Sequence, residues 1–120
     1  MSSLLLKIVI RRNIVNRNDY IKCLLNEGVL RIVFIKEDMV FNVSSAILDH
    51  IMRIIQNQTM TGIILDISNV NHIDSSAVGL FITLKHEMKK KGLGFRLEGV
   101  TENVQRIFRL LDVMKYIEAA

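Results

Sequence analysis

The stretch Gly62-Ile63-Ile64-Leu65-Asp66-Ile67-Ser68-Asn69-Val70-Asn71-His72-Ile73-Asp74-Ser75-Ser76-Ala77-Val78-Gly79-Leu80 decides how this chain folds. Its first six residues are nearly all apolar and rich in isoleucine, the pattern of a strand covered on at least one face. A polar loop follows and delivers Asp74, Ser75 and Ser76 to the start of a helix. A helix start exposes unpaired backbone N–H groups and a partial positive charge. Asp74 or Ser75 is placed to cap it, and a phosphate added at that end meets a favourable field.

Downstream, the helix is predicted from Ser75 to Lys91. Val78, Leu80, Phe81, Leu84 and Met88 fall along one side, and Lys85, His86, Glu87, Lys89 and Lys90 largely along the other. Gly92 follows as a terminating glycine. Phe95-Arg96-Leu97-Glu98-Gly99 alternates like a strand, and Thr101 then caps a helix whose apolar face is Val104, Ile107, Phe108 and Leu111. Val113 to Ile117 adds one more turn of helix or a short strand.

Upstream, Tyr20 to Leu25 and Val29 to Ile35 read as two strands joined by the three-residue turn Asn26-Glu27-Gly28. After the break Lys36-Glu37-Asp38, Ser44 or Ser45 is the expected N-cap of a helix reaching about Gln56, with Ile47, Ile51, Ile54 and Ile55 as its buried stripe. The order is β-β-α-β-α-β-α. Right-handed crossovers then give an α/β fold with a mixed, mostly parallel sheet and helices packed on it.

The chain has 120 residues, 50% of them hydrophobic, with no Trp or Pro. One domain with an Ile/Leu/Val/Met core accounts for residues 19–120. Residues 1–18 form an N-terminal extension, read as an extra strand or arm. They are basic (Lys7, Arg11, Arg12, Arg17) and free of acids, a composition shared with membrane-surface and targeting helices. No apolar run is long enough to cross a bilayer. Cys23, the single cysteine, flanked by Leu24 and Leu25, is a core residue and gives no reason to expect an oxidising compartment. The net charge of +4 is scattered and has no aromatic stacking platform beside it, which disfavours direct nucleic-acid binding.

His72, Asp74, Ser75, Ser76 and Asp66 superficially resemble a hydrolase set. A nucleophilic serine needs a strained elbow with flanking glycines, and neither serine has one. His72 lies on the same loop only a few residues away, a poor position for a base. His50, His72 and His86 lack metal-ligand spacing, and no phosphate-binding glycine motif is present. The chain is therefore expected to be a binding protein with no catalytic residues, metal or cofactor.

The strand around Leu65, the Asn/Asp-rich loop, Asp74-Ser75-Ser76-x-x-Gly79, the helix ending at Lys91-Gly92 and the run Val100-x-x-x-Val104-x-x-Ile107-Phe108 together resemble the STAS domain. More narrowly, they are similar to the bacterial anti-sigma factor antagonists, and the resemblance spans about Tyr20 to Ile117. It implies a cytoplasmic signalling phosphoprotein with Ser76 as the phosphorylation site. Its partner would be an anti-sigma factor that is also a serine kinase. The unphosphorylated antagonist would sequester that factor and free a sigma factor for transcription. Phosphorylation would break the complex and a phosphatase would restore it.

By the same resemblance the partner-binding residues are Asp38, Asn71, His72, Asp74, Ser75, Ser76 and Ala77. The chain departs from the family in carrying Ala77 for glycine and Lys36-Glu37-Asp38-Met39-Val40 for the usual Gly-Glu-x-Asp loop. An alternative from the same resemblance is a STAS subunit of a larger transport or stress-signalling assembly, with the same helix as a fixed docking surface. A homodimer through an exposed sheet edge is a further expectation.

Overall fold

A computed structural model describes residues 14–39 and 41–118; the expectation for residues 1–13 lies outside the described residues. The apolar runs form strands where the sequence places them. Ile21–Asn26 (β2) and Val29–Phe34 (β3) make an antiparallel hairpin, and Ile14–Arg17 (β1) pairs antiparallel with β2. The hairpin loop has two residues rather than three, because Asn26 pairs with Val29. Glu27 (φ 51°) and Gly28 (φ 81°) both take positive φ. Such a turn matches the right-handed twist of the strands it joins, and only Gly adopts the second conformation without strain.

Gly62–Asp66 (β5) pairs parallel with β3, and Gly94–Glu98 (β7) pairs parallel with β5. The five-stranded sheet has the order β1-β2-β3-β5-β7. Two bridging strands that periodicity did not show, Asp38–Met39 (β4) and His72–Ile73 (β6), form a separate parallel pair. Among the described residues three of the five pairings are parallel. Two of these lie in the five-stranded sheet and one is the β4–β6 pair, so over the two sheets together the strands are mixed and mostly parallel, as expected from the sequence.

Among the described residues four helices follow in chain order: Phe41–Asn57 (α1), Ser75–Lys90 (α2), Glu102–Leu110 (α3) and Met114–Glu118 (α4). Helix α1 corrects the expected start, since it begins one turn before the serines proposed as its cap. Ser44 is inside it and buried, in line with the stripe Ile47, Ile51, Ile54 and Ile55. A small residue at a stripe position lets α1 sit close to its neighbours, so Ser44 belongs to packing rather than capping. The segment at 113–117 resolves to a helical turn. Lys85 of α2 holds it, donating from Nζ to the carbonyls of Tyr116 (2.9 Å) and Ile117 (3.2 Å).

Strand alternation separates two faces of the sheet. Ile21, Cys23, Leu30, Ile32, Phe34, Ile63 and Leu65 point into the core against Ile47, Ile51, Leu80, Phe81, Leu84 and Met88 of the helices. Each such side chain contributes about 1.5–3 kcal/mol by leaving water. Burial pushes the Cys23 thiol up to about 12, so it stays protonated and inert. Phe34, Phe81 and Phe108 meet edge to face, with centroids 5.8 and 6.5 Å apart, and join β3, α2 and α3. On the other face Arg31 bonds Glu98 (2.8 Å) and reaches Asp66 (3.5 Å), while Arg96 also bonds Glu98. The Arg96 and then the Arg31 hydrogen bonds hold the Glu98 carboxyl below its ordinary range.

Candidate functional site

The loop between β5 and α2 leaves the sheet and is fixed at several points. Ser68 donates from both its backbone N–H and its hydroxyl to Asp66 Oδ1 (3.1 and 2.7 Å). Ile67 N donates to Glu98 O (2.9 Å), and Thr101 Oγ1 donates to Val70 O (3.1 Å). Asn69 Nδ2 reaches Phe34 O at 3.4 Å. Gly99 approaches so closely that a Cβ there would lie 2.6 Å from Ser68 Cβ. The loop is thus clamped between the ends of β3 and β7 and the start of α3, while Val70 is buried as its anchor.

From this base the loop meets the segment after β3. The backbone N–H groups of Asn71 and His72 both donate to Glu37 O (2.8 and 3.1 Å), and Asp74 N donates to Met39 O (3.3 Å). Asp38 pairs with His72 and Met39 with Ile73. The structure therefore brings Asp38 beside Asn71, His72 and Asp74, although more than thirty residues separate them in sequence. Asp38 and His72 are exposed; Asn71 and Asp74 are partly so. Met39, buried beside them, locks the β4–β6 pair to the core.

Asp74 is the N-cap of α2: its backbone is extended and its Oδ1 accepts the Ala77 N–H at 3.0 Å. This settles the choice between Asp74 and Ser75. Ser75 becomes the first helical residue and is exposed, and Ser76 follows it, partly exposed. Ala77, expected among the partner-binding residues, is fully buried and belongs to the core cluster. Methyl-sized Ala77 seats the first turn on the sheet and leaves Ser75 and Ser76 outside.

Ser76 helps to line an open groove of about 290 Å³ between α1 and α2, together with Ser44, Ser45, Leu48, Gly79, Leu80 and Thr83. Sequence reasoning missed Leu48 and Thr83 and read Ser44 and Ser45 only as caps. The spacing Ser76, Gly79, Thr83 down one helix face was the available signal. A Cβ on Gly79 would meet nothing within 4 Å, so this face has open space at Gly79. Among the described residues, those lining the groove bear hydroxyls or are apolar, and none is charged. Among the described residues no group of three His, Cys, Asp or Glu could hold a metal, and no helix is long and apolar enough to cross a membrane.

Solved structures share this architecture. The protein TM1081 of Thermotoga maritima, determined by NMR, superposes with TM-score 0.71 at 16% identity over 86% of this chain and 82% of its own. A sulfate transporter family protein from Wolinella succinogenes gives 0.63 at 20% identity, covering 77% and 73%. The anti-sigma factor antagonist SpoIIAA in its unphosphorylated form gives 0.62 at 18%, covering 75% and 82%. At these identities the likeness carries the fold. The sequence itself matches the STAS domain model over residues 20–119, and with the clamped loop and the capped Asp74-Ser75-Ser76 helix in place, the chain belongs to the STAS domain family.

Proposed function

We propose that this protein is a phosphorylation-regulated binding switch of the anti-sigma factor antagonist kind, acting without catalysis. In its unphosphorylated form it binds an anti-sigma factor that is also a serine kinase, and so releases a sigma factor. Phosphorylation of Ser76 ends the complex and a phosphatase resets it. The observation that carries this reading is the placement of Ser76: partly exposed, in the first turn of a helix capped by Asp74, and lining a groove whose described lining residues carry no charge. A phosphate there adds about −1.5 to −2 charges, favourable beside the helix start but costly to bury against an apolar or acidic partner. Docking is lost without refolding, because the added charge and bulk stand on the contact surface itself. The likeness to SpoIIAA supports the same reading.

The contact surface is the exposed Asp38–His72 end, Ser75, Ser76 and the α1–α2 groove beyond them. The test is incubation of the chain with a candidate kinase and ATP, with the phosphate located by mass spectrometry. Ser76→Ala should abolish modification and bind constitutively, and Ser76→Asp should not bind. If both variants bind as the parent does, the switch is wrong.

A second reading has an observation of its own, the likeness to a sulfate transporter family protein. In it the same helix docks permanently within a larger assembly and Ser76 is a packing residue. Persistent partner binding in the presence of kinase and ATP, with no phosphate on Ser76, selects this reading.

A further inference from the structure

Helix α4 has five residues, hardly more than one turn, and so short a helix is not stable in water by itself. The body of the protein must hold it. Among the described residues none after Phe108 is fully buried. Val113, Met114 and Ile117 are half-buried against the core, while Lys115 and Tyr116 are exposed. Apolar burial therefore holds α4 only in part.

The rest of its fastening is polar and comes from one side chain. The last carbonyls of a helix have no partner within it. Lys85, half-buried on α2, donates from Nζ to two of them, Tyr116 O (2.9 Å) and Ile117 O (3.2 Å). Hydrogen bonds from an ammonium are stronger than those between neutral groups. At the other end a tight turn joins α3 to α4, where Asp112 N donates to Arg109 O and Val113 N to Phe108 O, both at 3.1 Å. That turn holds Asp112 at φ 55°, in the left-handed region that favours glycine. A strained pivot at one end and a lysine at the other give α4 a hinge and a latch.

We propose that α4 opens and closes as a unit about Asp112 while the rest of the fold stays intact, with Lys85 as the latch that sets how often it opens. Opening parts the Lys85 ammonium from the two carbonyls and bares Val113, Met114 and Ile117 together. Lys85 lies nine residues beyond Ser76, which at about 3.6 residues per turn is half a turn out of phase. The latch is thus on the side of α2 away from Ser76, and either it or the switch proposed above can fail while the other stands.

The experiment is native-state amide hydrogen exchange of the full chain, read by NMR in water and in urea below the unfolding midpoint. Tyr116 and Ile117 should exchange through one common opening, more often than Leu65 and Phe108. Their rates should depend little on urea, because the opening exposes little surface. Lys85→Met should speed both amides by about tenfold or more with the spectrum still dispersed. Asp112→Gly, which relieves the turn, should slow them several-fold. Exchange at the rate of an unfolded peptide, or only with the urea dependence of the whole protein, overturns the proposal. So do rates that Lys85→Met or Asp112→Gly leaves unchanged.

Discussion

Replacing Gly79 by alanine should stabilise this protein, although glycine belongs to the motif that marks the site. Gly79 sits inside α2, is exposed, and is absent from the residues with positive φ, so its backbone already suits an L-residue. A Cβ built there meets nothing within 4 Å. Neither steric cost nor backbone strain therefore opposes the gain. Glycine in a helix interior costs about 0.5–1 kcal/mol relative to alanine, chiefly through the freedom it retains in the unfolded chain. With a urea slope of about 2 kcal/mol per molar, the midpoint should rise by about 0.3–0.5 M at unchanged slope.

Urea titration followed by far-ultraviolet circular dichroism measures this directly. An unchanged or lowered midpoint for Gly79→Ala would refute the reasoning, since it would mean that the methyl group meets something or that α2 bends there. A larger substitution separates stability from recognition. Gly79→Leu should remain folded with α-helical dichroism while filling the groove beside Ser76. If the groove receives a partner, this variant loses it without any change in charge.

Other substitutions test the framework of the site. Asp74→Ala should lower stability by about 1 kcal/mol by removing the acceptor for Ala77 N, while Asp74→Asn should keep most of it; equal midpoints for the three proteins would deny the cap. Phe81→Ala should cost about 3–5 kcal/mol, because Phe81 is fully buried between Phe34 and Phe108; a loss near 1 kcal/mol in calorimetry would mean the site collapses to fill the gap. Glu98 has its carboxyl held below the ordinary value of 4.5, first by the Arg96 hydrogen bond and then by that of Arg31. A depressed carboxylate stabilises fully above the unfolded value and loses that contribution as pH falls through the folded one. Glu98→Gln should therefore weaken the protein at pH 7 and flatten its stability profile below about 4.5, and a profile parallel to the parent's across that range would exclude the ion pairs as a source.

Much of the architecture was legible because it depends on local pattern. The two long helices read from stripes at 3.6-residue spacing, Ile47 to Ile55 and Val78 to Met88, and those residues are buried. Thr101 was read as a cap from its residue type and place, and its hydroxyl accepts the Val104 N–H at 3.3 Å. The errors fall where a partner distant in sequence decides. Two-residue strands such as β4 and β6 have no period to detect, since each exists only through pairing with the other. Ser44 looked like a cap because serine favours caps, but burial against neighbouring elements placed it inside α1. The hairpin loop was read one residue too long, because register fixes it and only the pairing of Asn26 with Val29 reveals register.

The sequence by itself determined that a buried strand leads through a polar loop to a helix opening at Asp74-Ser75-Ser76, because strand burial, loop polarity and capping chemistry are written in consecutive residues. Tertiary structure alone decided which side chains share a surface with Ser76. It paired Asp38 with His72, turned Ala77 inward, and set Ser45, Leu48 and Thr83 around one groove. The physical reason is range. A cap or a stripe is settled within one or two helical turns, whereas a surface is assembled from elements whose approach depends on how the whole core packs.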